Sequence, residues 1–144
     1  QDKSTMEALA ASLQIEDIVY FTGWVDPEEV TAYYAAADVF IAPSRRAVDG
    51  WIEAQGLTVL EAMVAKTPVI ATNLGGFVDS IVHNQTGFLV DERSPEQIAE
   101  VVRRFTDDPQ LAESIIDAAY EHAYSRFSRV KSASSFSELF QSLM

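Results

Sequence analysis

The arrangement of apolar runs is the strongest constraint on how this chain folds. Four short runs of β type, DIVYFTG (17–23), DVFIAPS (38–44), TPVIAT (67–72) and GFLV (87–90), alternate with segments of helical character. Runs of Val, Ile and Phe without polar alternation suit strands covered on both faces. Such strands, joined through helices, make a parallel sheet with helices on both sides, an α/β architecture.

The helices are marked by their ends. In DPEEVTAYYAAA, Asp26 stands as N-cap, Pro27 takes the first helical position and Glu29 follows three after the cap. In SPEQIAEVVRRF, Ser94 is the cap, Pro95 the first position, and Gln97 closes a capping box, with Ile98, Val101, Val102 and Phe105 on one face. DPQLAESIIDAAYEHAYSRF repeats the Asp-Pro start, and a last helix over about 129–143 carries the stripe Phe136, Leu139, Phe140 and Leu143. Shorter helices are expected to end within 5–13, to run over 56–65 and to cover 77–83.

A length of 144 residues is that of a single domain, 1–144, and 48% hydrophobic residues supply its core. The formal net charge of −12 disfavours nucleic acid, whose recognition needs a basic stripe, and an anionic membrane surface. No apolar run reaches the ~20 residues of a membrane span. With no cysteine, thiolate metal sites and disulfides are excluded, which is compatible with a cytoplasmic setting.

In a parallel sheet, ligands bind outside the carboxyl ends of the strands. Three loops fall at that edge: Gly23 to Asp26, Pro43 to Gly56, and Asn73 to Gly76. The second leads into EAQGLTVLEAM (53–63), where Glu53 and Glu61 stand eight positions apart. On a helical wheel Leu57, Val59, Leu60, Met63 and Val64 form the apolar side, and only Thr58 and Glu61 interrupt it. A lone buried carboxylate would find partners or take up a proton. Two readings follow: Glu61 sits at the helix edge, exposed or held by neighbouring backbone, or it accepts hydrogen bonds from the vicinal hydroxyls of a ribose. Gly56 would let a ligand approach the backbone, and the unpaired amides of the first turn favour a diphosphate.

The ordered segments VYFTGWV, YYAAADVFIAPS and EAQGLTVLEAMVAKTPVIATNLGGFVDSIVHNQTGFLV resemble the C-terminal, nucleotide-sugar-binding domain of GT-B retaining glycosyltransferases. The match is to the family 4-like group, also called glycosyl transferases group 1, whose signature is two glutamates separated by seven residues. The resemblance covers nearly the whole chain and implies a Rossmann-like sheet. It implies that Glu53 faces the donor sugar hydroxyls as the catalytic carboxylate. Gly56 and Leu57 would meet the diphosphate or sugar through their backbone, Glu61 would bind the ribose, and Gly23, Trp24 and Val25 would lie near the base. The implied substrate is a UDP- or GDP-sugar, with no metal and no cofactor. His83 and His122 stand alone in their segments and read as surface or core residues. Gly75-Gly76 matches the family's double glycine, which a helix-entry turn explains equally well. Two positions depart from the pattern: Ala54-Gln55 replaces a Gly-aromatic pair, and Asp79 stands for a Glu.

The resemblance also implies that the first two strands of the domain, with the Arg and Lys that grip the diphosphate, and the acceptor-binding N-terminal domain lie outside this chain. Turnover by the chain alone is then not expected. In the sheet order 3-2-1-4-5-6 the run 17–23 is strand 3 without its neighbour. It would be left unpaired, re-paired beside 38–44, or exchanged between the chains of a homodimer. A non-catalytic nucleotide-sugar-binding or scaffold domain and a nucleotide-sugar epimerase share this architecture and remain alternatives.

Overall fold

The computed structural model describes residues 3–143 and falls into two units, one ending at Val30 and the other beginning at Thr31. The first unit holds helix α1 (Lys3–Ser12), with Ala10 buried. Residues 17–23 form no strand, so the expected four-strand sheet has three strands. Ile18 and Tyr20 are 74% and 86% exposed. Their β propensity expresses a fit to a pleated, half-buried surface, and without a neighbouring strand that preference has nothing to act on. Helix α2 (Pro27–Ala36) begins where the sequence places it, with the Glu28 amide donating to Asp26 Oδ1 at 3.1 Å.

In the second unit the order is β1 (Phe40–Ala42), α3 (Leu57–Val64), β2 (Val69–Thr72), α4 (Phe77–Ser80), β3 (Phe88–Val90), α5 (Pro95–Asp107), α6 (Pro109–Phe127) and α7 (Arg129–Ser142). The strands are parallel in the order β1-β2-β3, with Ile41 opposite Ile70 and Ala71 opposite Leu89. All four residues of β2 are buried. Val69 and Ala71 join one apolar cluster with Val59, Met63, Phe77 and Ala119, while Ile70 joins another with Phe88, Val90, Val101 and Ile115. Successive side chains leave a strand on opposite faces, so a strand with a core on each side favours apolar residues at Val69, Ile70 and Ala71, and the one polar side chain of β2, Thr72, stands at its carboxyl end. This accounts for the unbroken apolar run.

The capping box expected at Ser94 is absent. Ser94 makes no side-chain cap and donates instead to the Glu92 carbonyl. Gln97 turns to Asp91, accepting from its amide at 2.8 Å and donating to its carboxylate at 2.9 Å. That pair ties the end of β3 to the start of α5, a bond between elements that local spacing does not specify. The cap at the Asp-Pro start does form, from Asp108 to the amide of Leu111, and Ser128 caps the last helix through the amide of Lys131. On α7, Phe136, Leu139 and Phe140 are all exposed. No helix among the described residues is long and apolar enough to cross a membrane.

Candidate functional site

The loop after β1 runs to the start of α3 along the carboxyl edge of the sheet. It is pinned by a turn in which the Gly50 amide donates to the Ala47 carbonyl at 3.0 Å and the Ala47 amide to the Trp51 carbonyl at 2.9 Å. The Arg46 amide donates to Glu92 Oε2 at 2.7 Å, joining this loop to the one after β3.

At the end of the loop, Glu53 folds back on the helix it precedes. Its Oε1 accepts from the amides of Gly56 at 3.1 Å and Gln55 at 3.3 Å. Those two bonds, the one to Gly56 first, hold its carboxyl below the usual carboxylate value, since they stabilise the charged form. Gly56 is the N-cap of α3, with φ 63° and ψ 48°, and a side chain there would run into the Phe77 ring. Left-handed backbone and close packing both demand glycine.

The double glycine has a specific role. The Gly76 amide donates to the Glu53 carbonyl at 3.0 Å. A Cβ on Gly75 would strike that carbonyl oxygen, and one on Gly76 would strike the Ala54 carbonyl and Gln55 Cα. Ser80 Oγ also donates to the Gln55 carbonyl, at 3.5 Å. The start of α4 therefore lies directly on the backbone of 53–55. This is a packing requirement, more than the entry turn that the sequence allowed.

Helix α3 buries Val59, Leu60, Ala62 and Met63. Leu57 and Val64, assigned to the apolar side by the wheel, are 57% and 50% exposed. The buried arc is rotated toward Ala62, because the sheet and α6 approach from that side and small residues permit the approach. Glu61 consequently lies on the exposed face, at the helix edge that one of the two sequence readings allowed, and its carboxylate is not buried. Its Oε2 accepts from the Tyr34 hydroxyl at 3.1 Å. Burial, and then the bond and charge of Glu61, push the Tyr34 phenol up to about 12. Glu61 also lines a groove of about 350 Å³ with Thr31, Leu57, Val64, Tyr124 and Phe127.

Glu53, Gly56 and Leu57 thus meet at one helix start, with Glu61 one turn further along. Gly23, at φ 69°, the exposed Trp24 and the half-buried Val25 belong to the first unit. Ala54, Gln55 and Asp79 are exposed. His83 Nδ1 accepts from the Leu89 amide at 3.0 Å. His122 is half-buried, and burial, then Arg126, lowers its pKa. No three His, Asp or Glu side chains among the described residues are placed to hold a metal ion. A larger cavity of about 690 Å³, lined by Val39, Pro68, Val102, Phe105 and Ile116 among others, lies at the amino ends of β1 and β2, away from these groups. Tyr34 and Phe77 escaped the sequence reading. Each reads as an ordinary core aromatic, and their partners are 27 and 21 positions away (61 − 34; 77 − 56).

The profile of the family described as Glycosyl transferases group 1 matches residues 1–122. A D-inositol 3-phosphate glycosyltransferase from Streptomyces avermitilis is 38% identical over 118 residues, 82% of this chain and 24% of that protein. A GDP-mannose-dependent alpha-(1-6)-phosphatidylinositol monomannoside mannosyltransferase from Mycobacterium tuberculosis is 40% identical over 109 residues, 75% of this chain and 28% of that protein. The chain thus spans about a quarter of the length of these relatives. The crystal structure of Anabaena Alr3699/HepE in complex with UDP superposes with a TM-score of 0.86 at 25% identity, over 96% of this chain and 36% of that one.

Proposed function

The chain belongs to the glycosyl transferases group 1 family, and on that premise we propose that it carries the donor-binding half of a retaining glycosyltransferase. The observation that carries this reading is the start of α3. There a carboxylate, a left-handed glycine and the unpaired amides of a first turn meet on the carboxyl rim of a parallel sheet. Such a start receives a diphosphate, because amide dipoles point at the anion without reorganising. Glu53 Oε1 is engaged by its own loop, which leaves Oε2 to accept from hydroxyls of the donor sugar. Glu61, exposed one turn on, accepts from the ribose.

In the proposed reaction the acceptor hydroxyl attacks the anomeric carbon on the face that the diphosphate leaves. The carbon–oxygen bond to phosphate breaks as the new glycosidic bond forms, and a donor phosphate oxygen takes the hydroxyl proton. No enzyme nucleophile and no resident cofactor is required. The relative from Mycobacterium tuberculosis is named for GDP-mannose, and the Anabaena protein was crystallised with UDP, so either nucleotide is a candidate donor carrier.

The test is calorimetric titration with UDP, GDP and their sugar conjugates. Glu61→Ala is expected to weaken every nucleotide, and Glu53→Ala to weaken the sugar conjugates more than the free diphosphates. Wild-type affinity in both variants would remove the assignment.

A further inference from the structure

Tyr34 sits near the end of α2 and is held from three sides. Its ring meets Phe40 edge-on at 5.2 Å and 89°. Its carbonyl accepts from Thr67 Oγ1 at 2.6 Å. Its hydroxyl donates to Glu61 Oε2. The first two contacts belong to packing and would be served equally by phenylalanine. The third is different, because it spends a hydroxyl on a carboxylate that is exposed and needs no neutralising partner for the fold.

An exposed glutamate samples several rotamers, and recruiting it to a ligand costs that freedom. A phenol fixed on α2 selects one of them in advance. Among the described residues Glu61 Oε1 accepts no hydrogen bond, so the fixed carboxylate keeps one oxygen available. We propose that Tyr34 is a positioning residue: it anchors one oxygen of Glu61 so that the other is preset for the vicinal hydroxyls of a ribose. This rests on the donor-site reading given above. It adds that the rotamer of the ribose-binding carboxylate is set from the neighbouring helix.

The experiment compares wild type, Tyr34→Phe, Glu61→Ala and the double variant by calorimetric titration with UDP and GDP, and with their 2′,3′-dideoxy analogues. Tyr34→Phe keeps the ring against Phe40, and an unchanged circular dichroism spectrum and melting point verify that the fold is intact. The expected result is that Tyr34→Phe weakens the ribonucleotide about three- to tenfold, leaves the dideoxy analogue unchanged, and has no further effect once Glu61 is alanine. If Glu61→Ala weakens binding and Tyr34→Phe does not, the positioning role is overturned and the ribose assignment stands. Equal weakening of ribo and dideoxy ligands by Tyr34→Phe overturns it as well, since that is the mark of a merely structural effect. If Glu61→Ala is itself without effect, or if neither nucleotide binds the wild type, the donor-site reading fails and takes the proposal with it.

Discussion

The backbone carbonyl of Glu53 accepts a hydrogen bond from the amide of Gly76 at 3.0 Å. Two rim loops, one entering α3 and one entering α4, are thereby fastened to each other through main-chain atoms. The packing at Gly75 and Gly76 leaves no room for even a methyl group between them.

Gly76→Ala is therefore expected to destabilise the protein by about 1–3 kcal/mol, the ordinary cost of overpacking, and to displace Glu53 as well. Chemical denaturation reads the first effect and the affinity for a nucleotide sugar reads the second. A variant with unchanged midpoint and affinity would contradict the packing described.

Phe77 is buried against Gly56. Phe77→Ala should cost about 3–5 kcal/mol. The amide of Gly56, no longer backed by the ring, should exchange with solvent faster relative to that of Val101 in α5. Uniform acceleration across both would show only global destabilisation.

Met63 and Leu57 lie on the same helix with opposite fates. Met63→Ala should lose about 2–5 kcal/mol, and Leu57→Ala should stay within about 0.5 kcal/mol. Equal costs in urea denaturation would restore the helical-wheel assignment over the observed one.

Glu53 and Tyr34 respond to pH in opposite senses. The Glu53 pKa in the folded protein lies below the ordinary 4.5. Its bonds to Gly56 and Gln55 are thus fully present above that value and are lost as pH falls through the lowered one. The Gly56 amide proton should shift upfield with a midpoint under 4.5, and should not titrate in Glu53→Gln. A midpoint at or above the ordinary value would contradict the clamp.

For Tyr34 the pKa is raised from 10.0 to about 12. Its contribution is complete below 10.0 and disappears as pH climbs through about 12. Absorbance titration of wild type against Tyr34→Phe isolates this phenol. Glu61→Ala should bring it part of the way down, with the effect of burial remaining. No change on removing Glu61 would mean that the hydroxyl and carboxylate do not interact.

What could be read in the sequence follows a physical line. The alternation of β1, β2 and β3 with helices was legible because burial of the sheet, complete along β2, favours apolar residues, and that demand is written residue by residue. The caps at Asp26 and Asp108 were legible because their partners are two or three positions away. Ser94 looked identical, yet Gln97 found Asp91 across a loop, and only the fold decides between such partners. The strand over 17–23 failed for a related reason, since a strand exists through its neighbour. The place of Glu53 and Gly56 at a helix start on the rim was legible. The exposure of Glu61 stayed one of two open readings, because the wheel gives angles between side chains and leaves open which side the sheet approaches. Tyr34 was invisible because its partner depends on how two helices lie together.

The contact between α4 and the loop before α3 has a consequence for how the site can diversify. Gly75 and Gly76 press on the carbonyls of Glu53 and Ala54 and on Gln55 Cα, all backbone atoms, while the side chains of Ala54 and Gln55 point outward and are exposed. Neither side chain belongs to the buried core. They stand beside a closely packed backbone, one and two residues from the carboxylate that the proposed function assigns to the sugar. A saturation library at positions 54 and 55 can therefore probe the sugar preference of the proposed donor site at two exposed positions.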